Sequence, residues 1–157
     1  MICLRKMTKV DIPVVQKWNT GGSDFLMQWS DFVHPLTESQ LEIRVASPDY
    51  HVFIIENDEV PAGTIQIFRI NRTKSTAWIG CFLIDAAQRG KGIGTRGLTL
   101  AVSYAVHELE VSRIYMSVYD FNKGAIKCYE SCGFKTVSSG RRTNGWNALV
   151  MIKQVTR

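Results

Sequence analysis

The sequence predicts an α+β fold, with a mixed sheet of about seven strands, mostly antiparallel but for one parallel pair, and about four flanking helices. An apolar run at residues 77–84 is typical of a buried strand. A glycine-rich turn follows, and apolar residues then recur at helical spacing, namely Leu98, Ala101, Val102, Ala105 and Leu109. Because this helix leads into a second strand at residues 112–119, its crossover makes the two strands parallel.

Before these strands, the first third of the chain predicts one strand and two helices. Residues 1–7 are typical of a strand, and Thr8 with Asp11 gives a helix-start signal. That helix carries an apolar stripe of Val10, Val14 and Trp18, and Gly21-Gly22 ends it. Residues Thr37–Gln40 form a capping box that opens the second helix.

The segment between these two helices is rich in apolar residues: Phe25, Met27, Trp29 and Phe32, followed by His34. Such residues on a loop can line a binding pocket, since loops on rigid scaffolds often carry binding groups. They can equally well pack against the sheet. The sequence leaves both interpretations of the Trp29 region open.

The remaining elements follow in order along the chain. Residues 51–56 and 60–70 predict a hairpin, which leads through a turn into the strand at 76–84. After the strand at 112–119, Asn122 caps a short helix and Gly133 suits its end. A closing antiparallel pair is predicted at residues 134–140 and 146–155.

Length and composition indicate one globular domain. The chain has 157 residues, of which 45% are hydrophobic and 21% charged, so we expect residues 1–157 to form a single domain with a substantial core. The longest apolar runs are strand-sized, and no stretch resembles a signal peptide or a membrane span. We expect a cytoplasmic protein, a monomer or a homodimer, with no membrane partner.

Net charge and cysteine content limit the classes of ligand and partner that we expect. The net charge of +5 favours anionic ligands, but the basic residues form no stripe interleaved with aromatics, so we expect no nucleic-acid partner. The four cysteines, Cys3, Cys81, Cys128 and Cys132, form no metal-type Cys-x-x-Cys pair, so we expect free thiols and no metal. A redox or acyl-carrying role stays open for Cys128 and Cys132, four residues apart on a short helix.

The glycine-rich turn has the features of an anion site. Glycines at 90, 92 and 94 allow positive φ angles and close approach of the backbone to a ligand. A helix that begins there presents free N–H groups and the positive end of its dipole. Three cations stand in the same stretch: Arg89, Lys91 and Arg96. We expect a phosphate or pyrophosphate guest, the alternative being a solvated basic turn.

Three phosphate-binding patterns compete for this turn. The nucleotide-triphosphatase pattern, Gly-x-x-x-x-Gly-Lys-Ser/Thr, does not occur. The dinucleotide pattern Gly-x-Gly-x-x-Gly does occur at residues 92–97, with Asp120 at the distance of a ribose-binding acid. Its context is wrong, because too few residues follow Asp120 for the remaining parallel units. We interpret that match as coincidental.

The third pattern fits on two stretches of the chain. Arg89, Gly92 and Gly94 meet the pattern Arg/Gln-x-x-Gly-x-Gly/Ala, and a second motif is met at Asn122, Ala125, Tyr129, Gly133 and Phe134. Together these stretches resemble the Gcn5-related N-acetyltransferase (GNAT) family, in the branch of ribosomal-protein N-terminal and polyamine acetyltransferases. The resemblance covers residues 50–155 well and implies a single-domain GNAT-like fold whose parallel strands splay apart.

The resemblance implies where acetyl-CoA, the co-substrate, would bind. The pantetheine arm would lie between the splayed strands and use the backbone of Phe82, Leu83 and Ile84, with Asn122 as a further contact. The pyrophosphate would bind the amides of Arg89, Gly90, Lys91, Gly92, Ile93, Gly94 and Thr95. Tyr129 matches the family's acid, which protonates the departing thiolate, although its helical spacing from Ile126 also suits plain core packing.

The general base is the part that the sequence does not identify. Many relatives carry a glutamate where this chain has Trp78, so a carboxylate base on the strand is not expected. Asp85, His34 and His51 are candidates by residue type, and a water chain is an equal alternative. Ala86 and Asn147 also depart from residues common in the family, which leaves the acceptor substrate open.

The resulting prediction is an acetyl-CoA-dependent N-acetyltransferase. It would transfer the acetyl group to a primary amine of a small molecule or to a peptide or protein N-terminus, by direct attack in a ternary complex. The alternative is a non-catalytic acyl-CoA-binding or sensor module, which the missing strand carboxylate favours.

Overall fold

The computed structural model describes residues 1–19, 32 and 35–156, and in this part of the chain seven strands and four α-helices form the fold. The strands are β1 Ile2–Lys6, β2 His51–Asn57, β3 Val60–Asn71, β4 Thr76–Ile84, β5 Arg113–Tyr119, β6 Lys135–Arg141 and β7 Asn147–Gln154. The helices are α1 Ile12–Trp18, α2 Glu38–Ala46, α3 Ile93–His107 and α4 Lys123–Ser131. The predicted fold class is confirmed.

All seven strands belong to one sheet, in the order β1-β2-β3-β4-β5-β7-β6. Every neighbouring pair is antiparallel except β4 and β5, which are parallel as predicted. Their pairing joins Thr76–Trp78 to Arg113–Tyr115 and then stops, although β4 runs on to Ile84 and β5 to Tyr119. The two strands therefore leave a gap between their C-terminal halves.

Helices pack on both faces of the sheet. Phe53 and Ile55 of β2 join a core with the buried residues of α3 and with Tyr129 of α4, and we call this side the α3 face. Val52 and Ile54 of the same strand join a second core with residues of α1 and α2, on what we call the α1 face. This alternation is what a strand buried on both sides requires, since successive side chains point to opposite faces.

A bulge in β4 changes which face its side chains reach. Thr64 pairs with Leu83 and Gln66 with Gly80, so β4 holds one residue more than β3 over this stretch, and Cys81 has a φ of 47°. Ile79 lies in the α3-face core and Cys81 in the α1-face core. Because of the extra residue, Phe82 and Ile84 lie on the α3 face, although strict alternation from Ile79 would put them on the α1 face.

The predicted helix starts are present, with one correction. Asp11 accepts a hydrogen bond of 2.9 Å from the backbone N–H of Thr8, and Thr37 Oγ1 accepts one of 3.2 Å from Gln40 N. Val10, predicted to lie on the apolar stripe, is 87% exposed. The reason is that residues 9–11 form a 3-10 turn ahead of α1, which shifts the helical phase so that Ile12 and Val15 are buried.

An ion-pair network fastens β1 to its neighbours. The Arg5 guanidinium donates to Asp11 at 2.7 and 2.8 Å and to Glu56 at 2.7 Å. Burial by itself would raise the pKa of Asp11, but its hydrogen bonds from Arg5 and Thr8 hold that pKa below the ordinary value. Among the described residues, no helix is long and apolar enough to cross a membrane.

Candidate functional site

A cleft of about 570 Å³ opens at the C-terminal ends of β4 and β5, on the α3 face. The residues around it are Phe82, Ile84, Gln88, Arg89, Gly90, Gly92, Ile93, Gly94, Thr95, Asn122, Gly124, Ala125, Cys128 and Tyr129. Most of the predicted site residues are thus brought together, although the two motifs that supply them are separated by α3 and β5. Leu83 and Lys91 are the predicted residues that do not line this cleft.

The glycine-rich turn has the backbone conformation that was expected at two of its three glycines. Gly90 has a φ of 79° and Gly92 a φ of 77°, in the left-handed region that favours glycine. A Cβ atom built on either residue meets nothing within 4 Å, so the space beside this backbone is open. Gly94 corrects the prediction: it lies in the first turn of α3 without a positive φ.

The start of α3 leaves amide donors for a ligand. The helix's first intrahelical bond runs from Arg96 N to Gly92 O, at 3.1 Å. The N–H groups of Ile93, Gly94 and Thr95 therefore have no acceptor within the helix, and all three residues line the cleft. With the positive end of the helix dipole behind them, these amides form a site for an anion.

The cations of the turn are exposed, and one of them already has a backbone partner. Lys91 and Arg96 are solvent-exposed. Arg89 Nε donates to the carbonyl oxygen of Ile84 at 3.0 Å, so its guanidinium is held at the mouth of the gap. Three positively charged residues thus belong to this turn and the first turn of α3, and no Asp or Glu is among the residues that line the cleft.

The end of β4 exposes part of its backbone to the gap. Asp85 N donates to Ala62 O of the β3 side at 2.7 Å. Since backbone groups alternate in direction along a strand, the Leu83 groups also face β3, whereas those of Ile84 face the gap. Of the three backbone contacts predicted for pantetheine, the one at Leu83 therefore has no open direction toward the gap.

Tyr129 lies in the wall of the cleft and also in the core. It is 7% exposed, with the Phe82 ring stacked at 6.1 Å and the Phe134 ring at 6.4 Å between centroids. The core-packing interpretation is confirmed, and the role of Tyr129 as the acid stays a prediction. Burial raises the pKa of the Tyr129 phenol well above its ordinary value, so the group stays protonated and can donate.

Asn122 caps α4 as predicted. Its Oδ1 atom accepts a hydrogen bond of 3.3 Å from Ala125 N, and the residue lines the cleft. The cap fixes the orientation of the amide group, because the oxygen is committed to the helix. The nitrogen of that amide is then the atom directed away from the cap and suited to a ligand acceptor.

The cysteines near the cleft are free thiols. Cys128 Sγ lies 3.6 Å from Thr95 Oγ1, and Cys132 Sγ lies 3.7 Å from Thr95 O. Burial raises the pKa of the Cys128 thiol, which disfavours the thiolate that redox or acyl-carrying chemistry needs. Among the described residues, no group of three or more His, Cys, Asp or Glu side chains has the arrangement of a metal site.

The base candidates that the structure describes do not reach the cleft as side chains. His51 Nδ1 lies 3.4 Å from Tyr104 Oη, toward the far end of α3, and Asp85 caps Ala87 N at 3.1 Å. Trp78 stacks on Tyr115 at 5.2 Å between ring centroids. His34 and residues 20–31, with Trp29, lie outside the described residues, so their predicted roles stay predictions. Phe32 is described and packs against the α1-face core.

Sequence reasoning missed the tip of the β6–β7 hairpin, residues 142–146. Arg142 Nη2 donates to Ser117 Oγ of β5 at 2.9 Å, and Asn144 Nδ2 donates to Tyr119 Oη at 3.2 Å. The Trp146 ring meets Tyr119 edge-on at 4.9 Å. The sequence did hold one indication, a tryptophan close to two arginines in a short turn. A large aromatic ring in an exposed turn usually packs against another part of the protein or against a ligand.

Comparison with protein families gives a match to the model described as the acetyltransferase (GNAT) family, over residues 23–134. A probable N-acetyltransferase, YjcK, of Bacillus subtilis (strain 168) is 39% identical over 110 residues, which cover 68% of this chain and 59% of that protein. Spermidine N(1)-acetyltransferase of Escherichia coli (strain K12) is 32% identical over 121 residues, covering 77% of this chain and 60% of that protein. The matched region thus spans about three fifths of these relatives.

Two solved structures are similar in fold across nearly the whole chain. Spermidine N-acetyltransferase from Vibrio cholerae, in complex with CoA and spermine, has a TM-score of 0.84 and 19% identity, covering 98% of this chain and 95% of that one. An aminoglycoside acetyltransferase in complex with coenzyme A has a TM-score of 0.80 and 22% identity, covering 98% and 95%. At this identity the two likenesses establish the arrangement of helices and strands.

Proposed function

This chain belongs to the acetyltransferase (GNAT) family, and from that premise we propose that it transfers an acetyl group from acetyl-CoA to a primary amine. The acceptor is a small molecule or a peptide N-terminus, and the amine attacks the thioester directly in a ternary complex. One observation carries the proposal: a cleft with free helix amides and glycine-shaped backbone opens into the unpaired gap between β4 and β5.

The chain's own groups suit each part of acetyl-CoA. Amides of Ile93, Gly94 and Thr95 suit the pyrophosphate, because they lack helical acceptors and stand at the positive end of α3. Exposed cations, namely Arg89, Lys91 and Arg96, add charge around it. Backbone groups of Phe82 and Ile84, with the Asn122 amide, suit the polar groups of the pantetheine arm.

The reaction needs an uncharged amine, a stabilised oxyanion and a proton for the leaving thiolate. The amine nitrogen bonds to the thioester carbon, and a backbone N–H of β4 at the gap stabilises the oxygen of the tetrahedral intermediate. The C–S bond then breaks, and Tyr129 gives its phenolic proton to the CoA thiolate. The proton that the amine loses leaves through water, which finally restores the phenol.

Tyr129 suits the acid role because of its burial. Its raised pKa keeps the phenol neutral at every pH where an amine acceptor is usefully deprotonated. The same property rules it out as a ready base. Of the base candidates that the structure describes, Asp85 caps Ala87 N and His51 contacts Tyr104, so a water chain is the base that we propose.

A second candidate is a non-catalytic acyl-CoA-binding or sensor module. The observation that favours it is Trp78, which occupies the strand position of a carboxylate base and is committed to its stack on Tyr115. Such a module would bind acetyl-CoA and hold it unreacted.

Calorimetric titration with acetyl-CoA tests the cofactor part of the proposal. We expect saturable binding, and the absence of heat at about 1 mM ligand, where affinity corresponds to about 4 kcal/mol, would contradict it. A screen of amines and peptide N-termini for CoA release then separates the two candidates. Turnover of any acceptor rejects the sensor, while binding without turnover across the screen rejects the transferase.

We also propose a cytoplasmic location and a monomeric or homodimeric state. None of Cys3, Cys81, Cys128 and Cys132 is in a disulfide, which supports a reducing compartment. Light scattering of the purified protein measures the oligomeric state, and a larger assembly would contradict this part.

A further inference from the structure

The gap between β4 and β5 has two sides, and the acceptor must use the one that the cofactor does not. On the α3 face the cleft and its lining residues, Phe82, Ile84 and Tyr129 among them, are assigned to acetyl-CoA. An amine that attacks a thioester in the gap therefore approaches from the α1 face. Any role of the α1 face in binding the acceptor thus rests on the proposed function.

The side chains of β5 that face the acceptor side can be identified by alternation. Ile114, Met116 and Val118 are buried in the α3-face core, so the residues between them project to the α1 face: Tyr115, Ser117 and Tyr119. Pairing with β4 ends at Tyr115, so Ser117 and Tyr119 stand beside the open part of the gap. They form the rim over which an acceptor amine must pass.

The tip of the β6–β7 hairpin is fastened to this rim. Arg142 Nη2 bonds to Ser117 Oγ at 2.9 Å, and the Trp146 ring packs edge-on against Tyr119 at 4.9 Å and Phe121 at 5.0 Å. These contacts join residues that are far apart in sequence, and they hold a guanidinium next to the gap. Arg142 is thus a fixed positive charge beside an aromatic wall.

The same face carries a second guanidinium over aromatic rings. Arg69 lies 5.7 Å from the Phe68 ring centroid and 5.5 Å from that of Trp78. Cations held over ring faces keep their charge while they gain from the ring quadrupole. Neither Arg69 nor Arg142 has a carboxylate within ion-pair distance among residues 1–19, 32 and 35–156.

Carboxylate side chains are absent from the strands around this rim. The strands β3 to β7 contain no Asp or Glu, and neither does the tip at residues 142–146. Asp120, which directly follows β5, accepts a hydrogen bond of 3.2 Å from Asn147 Nδ2 at the start of β7. A polycationic acceptor would be repelled by Arg142 beside this rim and by Arg69 on the same face, whereas an acceptor with a carboxylate could pair with the Arg142 guanidinium.

We propose that the acceptor is a small amine that also carries a carboxylate, of the amino-acid class, with Arg142 as the specificity-determining residue that binds the carboxylate. The rings of Tyr119 and Trp146 line the path of its apolar part. This acceptor class differs from the polyamine and the aminoglycosides in the names of the similar proteins.

The test compares amino acids with their matching amides as acceptors, alongside spermidine, by CoA release at fixed acetyl-CoA. An amide lowers the basicity of the neighbouring amine and so raises the neutral fraction, which biases the assay against the free acids. We expect the best free acid to exceed its amide by about tenfold in kcat/KM, mostly through KM. Spermidine should be the poorest acceptor.

Three variants test whether the Arg142 guanidinium causes the preference for the free acid over its amide. Arg142→Gln should reduce the ratio of kcat/KM for the free acid to kcat/KM for its amide to near one. Arg142→Lys keeps the positive charge and should therefore keep much of the parent's ratio. Arg113→Gln, at the opposite and paired end of β5, should leave the ratio unchanged. Acetyl-CoA affinity, measured by calorimetry on each variant, should not move.

Several results would overturn the inference while the proposed function stands. They are spermidine as the best acceptor, an acid-to-amide ratio that Arg142→Gln leaves intact, and turnover of no panel member by protein that binds acetyl-CoA. Failure of the proposed function looks different, because acetyl-CoA would then not bind, or no acceptor in the wider screen of amines and peptide N-termini would be turned over.

Discussion

The two sides of the β4–β5 gap are built in different ways. On the α3 face, the cleft uses backbone amides, glycines and a helix start, drawn from two short stretches at residues 82–95 and 122–129. On the α1 face, the residues around the gap come from distant parts of the chain: the rim residues Ser117 and Tyr119 of β5, Arg142 of the hairpin tip, and Phe68 and Trp78 beside Arg69.

Under the proposed function, this difference corresponds to the ligand that each side would recognise. A pyrophosphate can be bound by N–H groups that every residue except proline carries, provided that the backbone has the right shape. An acceptor is distinguished from its competitors by charge and ring contacts, which only particular side chains supply. Changes on the α3 face should therefore affect cofactor binding and chemistry, and changes on the α1 face should affect the choice of acceptor.

The largest expected effect on the cofactor side comes from Tyr129→Phe. The ring keeps its packing between Phe82 and Phe134, but the proton for the thiolate is lost. We expect kcat to fall about 100-fold or more, with unchanged acetyl-CoA affinity. Steady-state kinetics and calorimetry check this, with Tyr104→Phe as the matched control, since Tyr104 Oη faces His51 away from the cleft. Full activity of Tyr129→Phe would remove the acid from the mechanism.

Gly92→Ala should give the next largest effect, confined to cofactor binding. The left-handed φ of 77° is strained for alanine, and the methyl group would enter the space assigned to the pyrophosphate. We expect a loss of about 2 kcal/mol in acetyl-CoA affinity that salt barely changes. The chain should still fold, because a Cβ at this position meets nothing within 4 Å in the free protein.

Gly140→Ala is the matched control for the glycine variant. Its Cβ likewise meets nothing within 4 Å, but Gly140 lies in β6 without a positive φ. Calorimetric affinity for acetyl-CoA should equal that of the parent. Equal affinity in Gly92→Ala as well would show that the phosphate site lies elsewhere.

Arg89→Ala should have a smaller effect of a different kind. Arg89 is exposed and donates to Ile84 O, so it contributes charge near the pyrophosphate and no essential shape. We expect a loss of about 1 to 2 kcal/mol in acetyl-CoA affinity, together with weaker dependence on ionic strength. Titrations at low and high salt check this, and an unchanged salt dependence would contradict the charge role.

The smallest expected effect concerns the pH profile of kcat/KM, which should show no fall on its alkaline side. Because burial raises the pKa of Tyr129, its acid form is kept until the pH rises through that raised value, above about 10. We expect kcat/KM for the acceptor to rise with pH as the amine loses its proton and then to stay level up to pH of about 10.

His51→Gln provides the control for that profile. Burial lowers the pKa of His51, and the residue contacts Tyr104 far from the cleft, so the variant should keep the profile of the parent. A steep fall in kcat/KM between pH of about 8 and 10 in the parent would mean that an acid of ordinary pKa does the work of Tyr129.

How far the sequence predicts the molecule also differs between the two sides. The turn around Gly92 and the cap at Asn122 are local, since each depends on conformations within a few residues, and both were predicted. The bulge at Cys81 depends on how β4 aligns with β3, so strict alternation along β4 could not reveal that Phe82 and Ile84 reach the α3 face.

The contacts on the acceptor side could be predicted even less from the sequence. The bond between Arg142 and Ser117 joins a hairpin tip to a strand of the central sheet, and no local pattern encodes that register. The phase of α1 was missed for a related reason. A 3-10 turn at residues 9–11 left Val10 exposed where a continuous α-helical spacing placed it inside.

Amide hydrogen exchange with and without saturating acetyl-CoA is the most direct test of the division between the two sides. The N–H groups of residues 93–95 lack helical acceptors, so they should exchange fast in the free protein and slowly in the complex. Protection should also appear at residues 122–129, while residues 142–146 at the hairpin tip should not change. Protection at the tip with none at residues 93–95 would contradict the account, because it would put the cofactor on the acceptor's side of the gap.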